Sequence, residues 1–188
     1  MKKLVATLVL AISTLAIAGL SAGAQENNPM VGGAPMYRSR DIIDNAVNSK
    51  DHTTLVAAVK AAGLVETLKG KGPFTVFAPT NAAFDKLPAG TVDALLKPEN
   101  NAMLKNVLTY HVVAGRYDSE KLMKLIKKGG GSAMVKTVSG GTLTFRMNGM
   151  NGIAVTDERG GTSNVSVANV YQSNGVIHVV DTVLMPGS

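Results

Sequence analysis

The chain has 188 residues, a formal net charge of +6 and no cysteine. That length holds one ordinary domain; the missing cysteine excludes disulfides and thiolate metal sites; and the basic excess is too mild to mark a nucleic-acid binder. Stability must come from a hydrophobic core, which a chain of this size is long enough to bury.

Met1-Lys2-Lys3 is a short basic start, Leu4 to Leu20 is an almost unbroken apolar run, and Ala22-Gly23-Ala24 supplies small residues at signal-peptidase spacing. Together they predict a secretory signal peptide over residues 1–24, cleaved after Ala24. The rival reading is an uncleaved anchor, for which the run is short against the roughly 20 apolar residues of a membrane-spanning helix. Cleavage removes Lys2 and Lys3, and no transmembrane anchor is expected afterwards. Residues 25–38 are rich in proline, glycine and asparagine without periodicity and read as a flexible leader, with order expected from about Ser39 to Pro186.

Asp41 to Lys50 places Ile42, Ile43, Ala46 and Val47 on one helical face, and Thr53 to Leu68 repeats the pattern until Gly63 ends or bends it. Phe74 to Ala78 reads as a buried strand stopped by Pro79. Thr80 or Asn81 then caps a short helix through Phe84 and Leu87, ended by Pro88. Thr91 to Leu96 and Met103 to Leu108 are further helices, and Thr109 to Val113 reads as extended up to Gly115. Glu120 to Lys128, after Ser119, is a basic amphipathic helix. Beyond Gly129-Gly130-Gly131 the character changes. Val135–Val138, Thr142–Met147, Ile153–Thr156, Asn164–Val170 and Val176–Val183 are strand-like and separated by Gly-Gly and Asn-Gly hairpin signals. Helices in the first half and mainly antiparallel strands in the second make the fold class α+β. The strand near Val76 must join the later sheet, because an isolated strand is not stable.

Phe74-Thr-Val-Phe-Ala-Pro-Thr-Asn-Ala-Ala-Phe84 with Leu87-Pro88, then Leu108-Thr-Tyr-His-Val-Val-Ala-Gly115, then Asn174-Gly-Val-Ile-His-Val-Val-Asp-Thr-Val-Leu184 resemble, in order and spacing, the signature segments of the fasciclin domains. Thr54 to Leu64 fits the opening of that family. The resemblance implies a fasciclin domain over residues 39–186, a β-wedge flanked by helices. It also implies an exported or surface-displayed protein used for adhesion, matrix contact or symbiosis; some members bind apolar ligands such as carotenoids.

The candidate binding residues are Tyr110, His111, Asn81 and Asp85. In adhesive relatives the Tyr-His segment is linked to receptor contact; the other reading is packing and a buried hydrogen bond. Neighbours in an extended segment point to opposite sides, so one of the pair is expected inside and one nearer solvent. Asn81 is placed to accept a backbone N–H at a helix start, and Asp85 to lie in a first turn, where the helix dipole favours a carboxylate. His52, His111 and His178 show no i, i+4 pairing, so no metal is expected, and the set reads as one exposed and two packed histidines. The chain lacks a Gly-x-Ser-x-Gly elbow, a phosphate-cradling loop and any arrangement favouring a triad, so neither catalysis nor a cofactor is expected. Lys121, Lys124, Lys127 and Lys128 read as a solvated helix face, the other possibility being a polyanion or membrane patch. Met103, Met123, Met134, Met147, Met150 and Met185 read as core filling, with an apolar-ligand lining as the alternative.

Two functions follow as expectations. The first is an exported interaction module, periplasmic or on the cell surface, that binds a surface or matrix component or a partner protein. The second is a soluble carrier of an apolar molecule such as a carotenoid or lipid. No nucleic-acid partner is expected.

Overall fold

The computed structural model describes residues 28–187, so the expected signal peptide lies outside the described residues. The stretch expected as a flexible leader is, in its described part, folded. Strands β1 (Met30–Val31) and β2 (Ala34–Pro35) form an antiparallel hairpin whose turn is Gly32-Gly33, both at positive φ. Val31 and Met36 are buried in the core. The low local periodicity concealed this, because the hairpin gains its burial from distant residues.

Helix α1 (Ile42–Ala46) starts at Asp41, whose side chain accepts from Asp44 N at 2.8 Å. A single 3₁₀ turn, Lys50–His52, leads into α2 (Thr53–Ala61). Gly63, at φ +66°, breaks the helical run, and α3 (Val65–Lys69) follows as a separate helix. Strand β3 (Phe74–Pro79) is followed by α4 (Asn81–Asp85), α5 (Thr91–Leu95) and α6 (Asn101–Tyr110). Helix α6 runs two residues past its expected end. Tyr110 lies three residues beyond Val107 and continues the buried stripe of Leu104, Val107 and Leu108, so packing holds the helix where β-branched and aromatic residues favoured an extended reading. Strand β4 is reduced to Val112–Ala114.

After α7 (Ser119–Lys128), capped by Asp118, come β5 (Ser132–Lys136), β6 (Thr142–Asn148), β7 (Gly152–Thr156), β8 (Thr162–Gln172) and β9 (Gly175–Val180). The strands form a seven-stranded sheet in the order β4-β3-β9-β8-β7-β6-β5. Its pairs are antiparallel except β3–β9, which is parallel with Val76 opposite Ile177. Register shifts in β8 between Val165 and Val170 curl the sheet. Its far edges approach where Val138 N donates to Val112 O at 2.7 Å, which brings the sheet close to a barrel. This is the expected α+β architecture: helices from the first half, a sheet mostly from the second.

Two cores flank the central strands. On one face Val76, Ala78, Ile177 and Val179 pack under α1, α2 and α6. On the other, Phe77 and Val180 meet Tyr110, Leu122, Ile126, Phe145, Val155 and Leu184 inside the curled sheet. Strand β9 is buried along its whole length, which explains why its sequence is an apolar run interrupted only by His178. Phe77 is fully enclosed, with its ring 5.2 Å from Phe145 and 5.5 Å from His178. Phe77→Ala is therefore expected to cost about 3–5 kcal/mol, measured as a fall in the urea midpoint with little change in slope.

Candidate functional site

Tyr110 ends α6, and its hydroxyl enters the gap between two hairpins. It donates to Thr142 O at 2.8 Å and accepts from Glu158 N at 3.0 Å. Burial pushes the phenol up to about 12, and the nearby Glu158 and Asp157 charges add to this against the Glu158 amide. His111 follows as the cap of the same helix. Its Nδ1–H donates to Val107 O at 2.8 Å, and Nε2 accepts from Leu184 N at 3.0 Å. An acceptor at one nitrogen and a donor at the other fix the neutral tautomer. Burial lowers its pKa to about 4, against a smaller opposing effect of the Val107 carbonyl.

Tyr110 and His111 are both enclosed, at 0% and 2% exposure, which corrects the expectation of one buried and one exposed side chain. The alternation rule failed because the pair sits at a helix end, where neighbouring side chains diverge without either reaching water. Tyr110 enters the core inside the sheet; His111 lies towards the helical one.

The pair meets a clamp on the closing segment. His111 takes Leu184 N, Asp157 Oδ2 accepts from Met185 N at 2.9 Å, Arg159 Nε donates to Pro186 O at 2.7 Å, and Glu158 Oε2 accepts from Gly187 N at 2.9 Å. Asp157 is itself fixed, since its Oδ1 accepts from Arg159 N and Gly161 N. Just before this segment, burial disfavours the charge of Asp181. Hydrogen bonds from Asn164, Ser163 and Thr182 outweigh that and hold the carboxyl down at about 2.

Asn81 does accept a backbone N–H at a helix start, but not that of its own helix. Thr80 caps α4 by accepting from Ala83 N. Asn81 Oδ1 instead accepts from Thr54 N at 3.0 Å and Thr53 Oγ1 at 3.2 Å, and its Nδ2 donates to Lys50 O at 2.9 Å. It caps α2 from across the fold. Asp85 is the last residue of α4 and exposed, so it does not lie in a first turn; the helix begins four residues before it, at Asn81, behind the Thr80 cap.

All three histidines are buried, which corrects the expectation of an exposed one. His178 stacks on Phe77, and its ring Nε2 meets Tyr117 O at 2.8 Å. His52 lies in the 3₁₀ turn beneath the N-terminal hairpin, where Gly32 O accepts from Lys50 N. Its Nδ1 is 2.8 Å from Ser49 Oγ. Burial lowers the pKa of His52 and His178 as well. The Ser49-x-x-His52 spacing was the available sequence signal for this pair.

A cavity of about 80 Å³ lies between α1, α2, α3 and the helical face of β3 and β9, with Met36, Ile42, Leu55, Val59, Ile177 and His52 in its wall. Met36, unlike the six methionines singled out from the sequence, is part of that wall. Met134 and Met150 are 76% and 91% exposed, and Met103 is exposed too, so these three neither fill the core nor line this cavity. The lysines of α7 face solvent over buried Leu122 and Ile126; Lys121 lies 4.0 Å above the Tyr117 ring and Lys124 pairs with Glu120 at 3.1 Å. Among the described residues no three His, Cys, Asp or Glu side chains converge as metal ligands, and no helix is long and apolar enough to cross a membrane.

Comparison with known proteins gives consistent matches. The Fasciclin domain family matches residues 50–186. Protein sll1483 of Synechocystis sp. is 43% identical over 86% of this chain and 82% of its own length. Immunogenic protein MPB70 of Mycobacterium bovis is 35% identical over 96% of this chain and 90% of its own. The cell surface glycolipoprotein MPB83 of the same species is 33% identical over 85% and 67%. Among solved structures, a domain pair from the insect cell adhesion molecule Fasciclin I superposes with a TM-score of 0.69 at 19% identity, over 78% of this chain and 51% of that one; at that identity the likeness establishes the fold.

Tyr110→Phe leaves Thr142 O and Glu158 N without their partner and is expected to cost about 1–3 kcal/mol, read from chemical denaturation. The histidines set a pH dependence. Neutral in the fold, they take up protons on unfolding once the pH is below about 6.5, so stability is full above that value and falls as the pH drops towards 4. His111 alone accounts for a loss of about 3 kcal/mol by pH 4. Denaturation midpoints measured from pH 7.5 to pH 4 test this; a flat profile contradicts the buried neutral histidines.

Proposed function

The chain belongs to the fasciclin domain family, and from that premise we propose that it is an exported interaction module, acting by saturable binding to a cell-surface component, a matrix polymer or a partner protein. The observation that carries this reading is the use made of the family motif. The Tyr110 hydroxyl and both His111 nitrogens are committed to main-chain groups inside the fold. A general base or nucleophile must reach its substrate; these groups hold the closing segment in place. Such a motif suits a rigid platform whose outer surface does the recognising. The names of two similar proteins, a cell surface glycolipoprotein and a cell adhesion molecule, point the same way.

The proposed domain division is a signal peptide over residues 1–24 and a fasciclin domain reaching Pro186, with export to the periplasm or cell surface. Of the four candidate residues Asp85 is the exposed one, so it is placed for direct contact. Tyr110, His111 and Asn81 act on binding through the surface they support.

Protein recovered from its host is expected to begin at Gln25 by intact mass and to bind a cell-envelope or matrix fraction saturably. Asp85→Lys is expected to weaken that binding a few-fold without altering the denaturation midpoint, as for a charge at an interface rim. Absence of saturable binding to envelope, polysaccharide and protein fractions removes the reading.

A further inference from the structure

The cavity under the N-terminal hairpin has apolar walls and one unusual atom. Among the described residues His52 Nε2 is the buried side-chain nitrogen or oxygen with no hydrogen-bond partner, and its ring is 3% exposed and part of the cavity wall. The Ala78 carbonyl nearby favours the charged ring but lies outside hydrogen-bond geometry. Of the other polar residues of the wall, His111 is engaged at both nitrogens, Thr109 Oγ1 with Lys105 O and Ser49 Oγ with His52 Nδ1, while Lys60 and Thr67 are exposed to solvent. A buried polar atom left unsatisfied costs about 1–3 kcal/mol, and native folds rarely carry one without a use.

The volume limits what fits. About 80 Å³ is well below the roughly 300–1,000 Å³ of sites that enclose drug-sized ligands, so a long pigment is excluded from the cavity as it stands. Water is poorly served at the buried end, since a buried water needs 2–4 polar partners and His52 Nε2 is the buried side-chain polar atom there left free. A charged group is disfavoured in so apolar a site.

We propose that this cavity is a binding site for a small neutral molecule with a hydrocarbon body and a single oxygen, a ketone or an alcohol, whose oxygen hydrogen-bonds His52 Nε2. Ser49 makes the site tolerant of both. Its hydroxyl either donates to Nδ1, leaving Nε2–H to donate to a carbonyl, or accepts from Nδ1–H, leaving Nε2 to accept from a hydroxyl. The site is distinct from the proposed partner contact at Asp85, lying under the hairpin and α1 to α3.

The test uses acetone and propane, a ketone and a hydrocarbon of matched size small enough for the cavity, as probes, followed by NMR of protein labelled in its histidine ring nitrogens and methyl groups. Both probes are expected to shift the methyl signals of Leu55, Val59 and Ile177; acetone alone is expected to shift the His52 ring nitrogens. His52→Phe, which keeps the ring's bulk, is expected to weaken acetone about tenfold, the loss of one buried hydrogen bond at about 1.4 kcal/mol, and not to weaken propane. Ala46→Leu, which fills the cavity from α1, is expected to abolish both. The proposal is overturned if acetone leaves the His52 nitrogens unmoved, if His52→Phe weakens both probes alike, or if Ala46→Leu still binds. Should either variant fail to fold, the ring-nitrogen comparison in the unmodified protein decides by itself.

Discussion

The structure depends on the parallel pairing of β3 with β9. Residues 74–79 and 175–180 lie about a hundred positions apart in the chain, yet run side by side at the centre of the sheet with cores on both faces. Strands so placed cannot turn to water for their main-chain hydrogen bonds. The helices pack against one side of this pair and the curled sheet against the other. Phe77, stacked on His178 and packed at a tilt against Phe145, connects the pairing to the interior of the sheet.

The Tyr-His step at the end of α6 follows from that arrangement. Helix α6 delivers the chain to β4 at the edge of β3, so its last side chains fall between the two cores. Tyr110 links the β5–β6 and β7–β8 turns, and His111 takes the first amide of the closing segment. The acidic turn at Asp157 and Glu158 completes the same task along the next residues. A residue pair that reads as a contact motif is, in the fold, a fastener, and its burial lowers the histidine pKa through the cost of desolvating a charge.

The helical side is fastened differently. Asn81 caps α2 from another element, Asn174 receives Ile42 N at 3.0 Å and donates to Leu68 O at 2.7 Å, and Asn45 joins Tyr37 to Gln172. Each asparagine supplies both a donor and an acceptor, which suits the irregular helix ends around the cavity. Between these short helices lies the cavity, and His52 Nε2 is the buried side-chain atom there without a partner.

The sequence by itself determined the α+β class, the family, the membership of the Val76 strand in the later sheet, and the two-sided burial of β9. Those features rest on local signals, namely periodicity, turn residues and a long apolar run. It also singled out Asn81 as an acceptor for a helix start. Only the tertiary structure decided which helix Asn81 caps, that Tyr110 and His111 both turn inward, that His52 is buried, and that residues 30–36 belong to the core. Each of these depends on what lies opposite a residue in space. Helix α6 lengthened because its stripe had a core to meet, and Met134 and Met150 are exposed because hairpin edges left nothing to cover them. Side-chain chemistry and spacing are written locally; burial is set by partners a hundred residues away, and a pattern of neighbours along the chain carries no record of them.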